Sequence, residues 1–329
     1  MPIKGLAYVM VFFIIACFSE RAEAAINCTT SGTMNFATVD VLSGTASAVQ
    51  PATFTISCTG ANPNTVVASV CISLGAGSST TWPPREMVSG ANRLKFEIYK
   101  DAALTSVMGA WPAYATPYSA STTGLLVNIP ITSGAGSGTF TLYGVVLGSQ
   151  QSAATGTYTS SFSDASSMIM AFQSPNANTV QNCSANGGGG QQSALSLSAT
   201  ATVSPNCNIS ATNLNFGTLT NLSAATDATS SISVTCALGL PYSISLSGGL
   251  TNATDPTARK MIFGANTLTY GLYRDAQRSL PWGNTSNVNT LSGTGTATPQ
   301  TLTVYGRIPG QQYPTPGTYT DTISAVIVY

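Results

Sequence analysis

The chain has 329 residues, no histidine, and 11 basic against 11 acidic residues; only 7% of it is charged and 43% is hydrophobic. That balance excludes a basic surface able to track a nucleic-acid backbone. Lack of histidine excludes the usual general base and any Ser–His–Asp triad.

At the N-terminus Lys4 precedes an apolar run from Leu6 to Phe18, and Ala22-Glu23-Ala24 fits a small-x-small cleavage pattern. This predicts a signal peptide over 1–24, since the run falls short of the roughly 20 apolar residues a bilayer requires. Ile14-Ile15-Ala16-Cys17 is a poor lipobox. The expected mature chain starts near Ala25 and suits two domains of ordinary size. Export predicts disulfides among the even set Cys28, Cys58, Cys71, Cys183, Cys207 and Cys236. No two cysteines have the close spacing of a zinc site and there is no histidine, so neither a metal nor a cofactor is expected.

Along the chain one unit occurs twice. Cys28, Asn35-Phe36 and Cys58 match Cys207, Asn215-Phe216-Gly217 and Cys236. Leu94-Lys95-Phe96-Glu97-Ile98-Tyr99-Lys100-Asp101-Ala102 matches Leu268-Thr269-Tyr270-Gly271-Leu272-Tyr273-Arg274-Asp275-Ala276. Thr139 to Gly144 matches Thr301 to Gly306, and Gly156-Thr157-Tyr158-Thr159 matches Gly317-Thr318-Tyr319-Thr320. The first copy carries about 12 extra residues between Asp101 and Thr139. Repeat logic pairs Cys28 with Cys58 and Cys207 with Cys236, which leaves Cys71 for Cys183.

Apolar residues alternate with polar ones, as in Leu94, Phe96 and Ile98, or Ile323, Ala325, Ile327 and Tyr329. This period of two, with Gly, Pro and Asn between runs, predicts an all-β fold of two sandwiches in tandem. The boundaries are drawn at 25–185 for the first domain, 186–194 for a Gly-rich linker and 195–329 for the second. Leu195, Leu197, Ala199, Ala201 and Val203 alternate with serines and threonines just ahead of Cys207. This run is assigned to the start of the second domain, with completion of the first in cis as the alternative.

Candidate binding residues lie in the first copy. Val107, Met108, Trp111, Tyr114 and Tyr118 fall in its longer segment, and Trp82-Pro83-Pro84 places a second Trp in a loop. Trp82, Pro83, Pro84, Met108 and Tyr114 are expected at the surface. Pro281-Trp282 is read as the counterpart of Trp111-Pro112, which leaves Trp111 open between core and surface. The carboxylates are scattered, no acid–base pair is identifiable, and no enzyme is expected.

The Cys207, Asn215-Phe216-Gly217, Cys236, Tyr270-Gly271-Leu272-Tyr273, Trp282-Gly283, Tyr305-Gly306 and Pro316-Gly317-Thr318-Tyr319-Thr320-Asp321-Thr322 series resembles the spore coat protein U-type domain. That family includes subunits of archaic, Csu-type chaperone–usher pili. The resemblance implies two immunoglobulin-like sandwiches, the C-terminal one an incomplete, pilin-type fold lacking its last strand. It further implies a groove bordered by Ile323, Ala325, Ile327 and Tyr329. A periplasmic chaperone, then an adjacent pilin subunit, would fill that groove by donor-strand complementation, with an outer-membrane usher in between. Only three residues separate the expected cleavage site from Cys28, too few to donate a strand. The expectation is therefore a tip adhesin, secreted through the periplasm to the cell surface. It would mediate attachment and biofilm formation on a hydrophobic or abiotic surface or a host ligand. A lectin for glycans and a structural or spore-coat-like subunit without a binding site are the alternatives.

Overall fold

The computed structural model describes residues 25–79, 81–110, 124–163, 167–176, 183 and 190–329. Segment 1–24, Trp111, Tyr114, Tyr118 and residues 186–189 lie outside the described residues. Regular structure among the described residues is all β.

The first unit contains β1 (Asn27–Val39), β2 (Gln50–Thr59), β3 (Val67–Ser73), β4 (Arg85–Ser89), β5 (Asn92–Tyr99), β6 (Leu125–Pro130), β7 (Gly136–Val146), β8 (Gly156–Phe162), β9 (Met168–Ser174), β10 (Gln191–Ala194) and β11 (Ser196–Val203). One layer is a barrel-like sheet in the order β1-β11-β8-β4-β5-β7-β2, closed by β1 against β2. The other is a sheet in the order β10-β9-β3-β6. Met34, Phe36, Ile56, Phe96, Phe162 and the inward residues of β11 share the core between them.

The second unit contains β12 (Cys207–Ala211), β13 (Thr226–Cys236), β14 (Pro241–Leu246), β15 (Arg259–Phe263), β16 (Asn266–Tyr273), β17 (Leu291–Thr294), β18 (Gln300–Ile308) and β19 (Ala325–Val328). Its sheets run β12-β13-β18-β16-β15 and β17-β14-β19, around Ile232, Val234, Ile244, Leu272 and Trp282. Here the first of the two sheets does not close.

The three disulfides are those that repeat logic assigns: Cys28–Cys58, Cys71–Cys183 and Cys207–Cys236. Two of them join directly paired strand residues, Cys28 opposite Cys58 and Cys207 opposite Cys236. Closing loops of 30 and 29 residues restricts the unfolded chain by roughly 3–4 kcal/mol each in the chain-entropy picture.

One expectation is overturned. Leu195–Val203 does not open the second unit. Strand β11 lies in the first unit, parallel to β1 and antiparallel to β8, with Leu197 opposite Phe162 and Val203 opposite Gly156. Its Leu197, Ala199, Ala201 and Val203 side chains are buried while Ser196 and Thr202 face out. Residues 191–194, expected in the linker, form β10 on the edge of β9. Together β10 and β11 are one run of chain that switches sheets at Leu195, as β8 and β9 do on its flank. The physical reason is backbone pairing: without β11, the facing edges of β1 and β8 would lie over the core with no partners.

A second correction concerns the loops. Trp82 is only 9% exposed and Met108 is fully buried. Both attend a buried arginine. The Arg85 guanidinium donates to the carbonyls of Leu74, Gly75 and Met108 at 2.7 Å and pairs with Glu97, which is also buried. Trp82 stacks over that guanidinium at 4.7 Å and donates its indole N–H to Glu97 Oε2 at 3.1 Å. A charge taken out of water needs its counter-charge and full hydrogen bonding, and Trp82 completes that shell. Met108 occupies the place that Trp282 holds in the second unit. Met108 N donates to Ile98 O and Trp282 N to Leu272 O, each at 2.8 Å. The carbonyls of Met108 and Trp282 themselves accept from Arg85 and Arg259 respectively. Trp282 is thus the counterpart of Met108, not of Trp111, and the two copies stay in step at least this far along the chain. Of the remaining loop residues, Pro83 is exposed, while Pro84 and Val107 are half-buried.

Glu97→Gln removes the charge that neutralises Arg85. It should lower the unfolding free energy by about 3–5 kcal/mol, read as a fall in denaturant midpoint at constant slope. Replacing Arg85 and Glu97 together by Met and Leu should recover much of that loss, since no unpaired charge then remains.

Candidate functional site

The repeat allows the two units to be laid on each other residue by residue. In the first, β11 sits between β1 and β8. In the second, the equivalent flanks are the segment after β12 and the segment before β19. Neither is a regular strand, and none of the described residues forms a strand between them. The result is a groove of about 860 Å³ lined by Leu214, Phe216, Leu219, Met261, Leu268 and Tyr319 among others, none of them charged.

The flanks keep the local geometry of the filled copy. Gly217 N donates to Asn215 Oδ1 at 2.8 Å, as Ala37 N does to Asn35 Oδ1 at 2.8 Å. Residue 217 has φ +78° and residue 37 has φ +53°. This side-chain turn explains the Asn-Phe motif, because it bulges the chain just after the aromatic ring enters the core; in the first unit the pairing of β1 with β11 shifts register between Asn35 and Thr38. The Tyr-Gly motif has a matching cause. A Cβ on Gly144 would collide with Met34 and Phe36, and one on Gly306 with Leu214 and Phe216. On the other flank, Tyr158 and Tyr319 each donate a hydroxyl to the carbonyl four residues earlier at 2.8 Å.

Exposure of the paired positions shows what the missing strand does. Met34, Phe36 and Tyr158 are 2%, 2% and 0% exposed, whereas Leu214, Phe216 and Tyr319 are only half-buried. Apolar surface buried in one copy therefore remains wet in the other, at about 25 cal/mol per Å². The edge continues onto β19. Its equivalent, β9, is covered by β10, while β19 pairs only with β14 among the described residues.

Of the residues the sequence places at the groove, Ile323, Ala325 and Ile327 are half-buried and pack on the second core. Tyr329, expected with them, is 52% exposed and lies outside that inward set. The wall of Leu214, Phe216 and Leu219 and the floor of Met261 and Leu268 were not among the expected residues. Their signal was present in the repeated Asn-Phe motif, but only its burial in the first copy reveals what it faces. Near one end of the groove, Tyr270 is buried and donates to Asp321 Oδ2 at 2.6 Å. Burial first, then that carboxylate, push its phenol far above the usual tyrosine range.

A β-sandwich that lacks its last strand, and closes where a strand is supplied, is an incomplete immunoglobulin-like fold of the pilin type. The chain belongs to the Spore Coat Protein U domain family, whose model matches residues 14–163 and 193–326. It is 40% identical over 129 residues to Protein U of Myxococcus xanthus, a match spanning 35% of this chain and 71% of that protein. In fold it is similar to the chaperone–tip adhesion subunit pre-assembly complex of the archaic chaperone–usher Csu pili of Acinetobacter baumannii. That match has 18% identity and a TM-score of 0.51, over 92% of this chain and 100% of that one. The CupB6 tip adhesin of Pseudomonas aeruginosa matches at 12% identity and a TM-score of 0.39, over 93% and 94% of the two chains.

Leu197→Asp would set an unpaired carboxylate in the core beside Phe162. It should release β11, so that limited proteolysis cuts the 190–203 segment at protease levels that leave the native protein intact.

Proposed function

We propose that this protein is the tip subunit of a chaperone–usher pilus, with a non-catalytic role in assembly and attachment. The observation that carries the reading is the contrast between the two copies: a strand fills the slot in the first and an open apolar groove replaces it in the second. The groove would accept a strand by β-augmentation, first from a periplasmic chaperone and then from the adjacent subunit after passage through the outer-membrane usher. Main-chain hydrogen bonds would come from the 214–219 and 317–323 flanks and from the free edge of β19.

The tip position is supported by the fate of residues 191–203. This is the alternating run that could serve as a donor, and it is already consumed inside the chain. With that run engaged in the first unit, it is not available to complete a neighbouring subunit, which suits a place at the end of a fibre. The absence of histidine supports a role without catalysis, as does the engagement of Asp227, Asp255 and Asp275 with arginine, backbone or hydroxyl partners.

Attachment would then fall to the first unit. With Trp82 and Met108 in the core, the adhesive set reduces to Pro83, Pro84 and Val107 together with Trp111, Tyr114 and Tyr118. Apolar and aromatic side chains of this kind, where they reach the surface, would suit hydrophobic surfaces and hence biofilm formation, with many fibres per cell supplying avidity.

Ile327→Asp should abolish co-purification with the chaperone, because its carboxylate would face the second core. Unchanged co-purification would remove the acceptor reading. Replacing Trp111, Tyr114 and Tyr118 together by Ser should leave piliation intact and reduce attachment to polystyrene several-fold. Loss on glycan arrays alone would assign a lectin instead, and immunogold label along the shaft would refute the tip position.

A further inference from the structure

The two flanks of the groove face the same difficulty: they must hold the shape of a strand slot while no strand is present. In the first unit all seven residues of β8, Gly156–Phe162, pair with β11. The equivalent segment of the second unit, 317–323, has one isolated bridge, Thr320 with Ile262. Tyr319 also packs on Phe263 and Ile323 on the second core, and Asp321 supplies a further, polar attachment.

Asp321 corresponds to Ser160. Each reaches the same loop: Ser160 Oγ accepts from Ser78 N at 3.1 Å, and Asp321 Oδ1 accepts from Leu250 N at 2.7 Å. Each fits because the preceding loop residue is a glycine of positive φ, Gly77 at +77° and Gly249 at +75°. A Cβ on either glycine would strike the side chain opposite. The open unit adds two things. Its group is a carboxylate, which accepts more and stronger hydrogen bonds than a hydroxyl. Oδ1 also takes Thr322 N at 2.8 Å and Oδ2 takes the Tyr270 hydroxyl at 2.6 Å. Tyr270 stands where the first unit has Phe96, which has no hydroxyl to offer. These two changes therefore lie in one contact, between the groove wall and the core.

We propose that Asp321, held by Tyr270, is a positioning residue that keeps the 317–323 wall in strand-accepting shape while the groove is empty. This rests on the acceptor reading above. Once a strand is in place, its ladder of backbone hydrogen bonds holds the wall, as β11 holds β8, and the tether becomes dispensable. Serine at this place suffices in the filled unit. Without the tether, the accepting conformation occupies a smaller fraction of the empty protein. Apparent affinity falls by that fraction, and the loss appears in association, because the bound complex is unchanged.

The test uses the full mature chain and two variants, Asp321→Ser and Tyr270→Phe. Each installs the residue that the filled unit has at that place, and Tyr270→Phe leaves the Asp321 charge beside Arg259 unaltered. The probe is a synthetic peptide of residues 190–204. In the empty variants, amide exchange across 317–323 should accelerate by about tenfold, the scale of one lost hydrogen bond to a charged group. With peptide bound, protection should return to that of the unaltered protein. Peptide association should slow by a similar factor with dissociation unchanged. Equal protection in the empty variants would overturn the proposal. So would an equal loss in empty and filled forms, which marks a merely structural residue. Failure of the unaltered protein to bind the peptide would overturn the acceptor reading itself, a result visible before any variant is made.

Discussion

A strand edge over an apolar core must be covered, because its N–H and C=O groups and the side chains beneath them otherwise face water unpaired. Both halves of this protein are built around that one constraint, and they meet it in opposite ways. The first unit folds its own downstream chain back into the gap, so that β10 and β11 cover both sheets in turn. The second keeps the gap as a groove lined by side chains equivalent to those the first unit buries. Comparing the copies therefore separates what the module needs in order to fold from what it needs in order to be joined to something else.

What it needs in order to fold includes a buried arginine. Arg85 and Arg259 each gather carbonyls from separate loops around one guanidinium. In the first unit the neutralising charge is Glu97, on the neighbouring strand β5. In the second, glycine replaces it at Gly271; burial disfavours ionised Arg259, and the carboxylates that oppose this are Asp321 and Asp255. The same loop scaffold thus tolerates two electrostatic solutions. The second of them involves the strand that borders the groove.

Much of this was legible in the residues. The cysteine spacing and the four other ordered matches define two copies, and copies that share these motifs share a fold, which is why repeat logic assigns the disulfide pairing. Alternation marked β5, β11 and β19 as strands. Alternation does not say which sheet a strand joins. Leu195–Val203 reads as part of the second unit because Cys207 is near in sequence, yet its partners β1 and β8 lie upstream. Trp82 reads as a loop residue because two prolines follow it. The arginine that buries it follows those prolines, and a single charged residue gives no periodic signal of its own burial. Met108 reads as a surface residue because Trp282 matches another tryptophan by type, and its place after the Tyr-rich strand goes unused. The wall residues Leu214 and Phe216 carried a visible motif but no sign of exposure, since their surroundings depend on a strand that the second copy lacks.

The position of β11 also fixes where the first unit ends. The glycine-rich stretch after Cys183 looks like the natural seam between two domains, and a cut made there would separate the sequence repeats neatly. It would also remove the piece that closes the barrel, leaving β1 and β8 with bare edges in a protein fragment prone to self-association. As the chain emerges during synthesis, the first unit likewise cannot complete its fold once β9 is out. It must wait for some thirty further residues, through Val203. The true seam is the short Ser204-Pro205-Asn206 bridge before Cys207, so the two modules share almost no spare chain between the last strand of one and the first disulfide of the other.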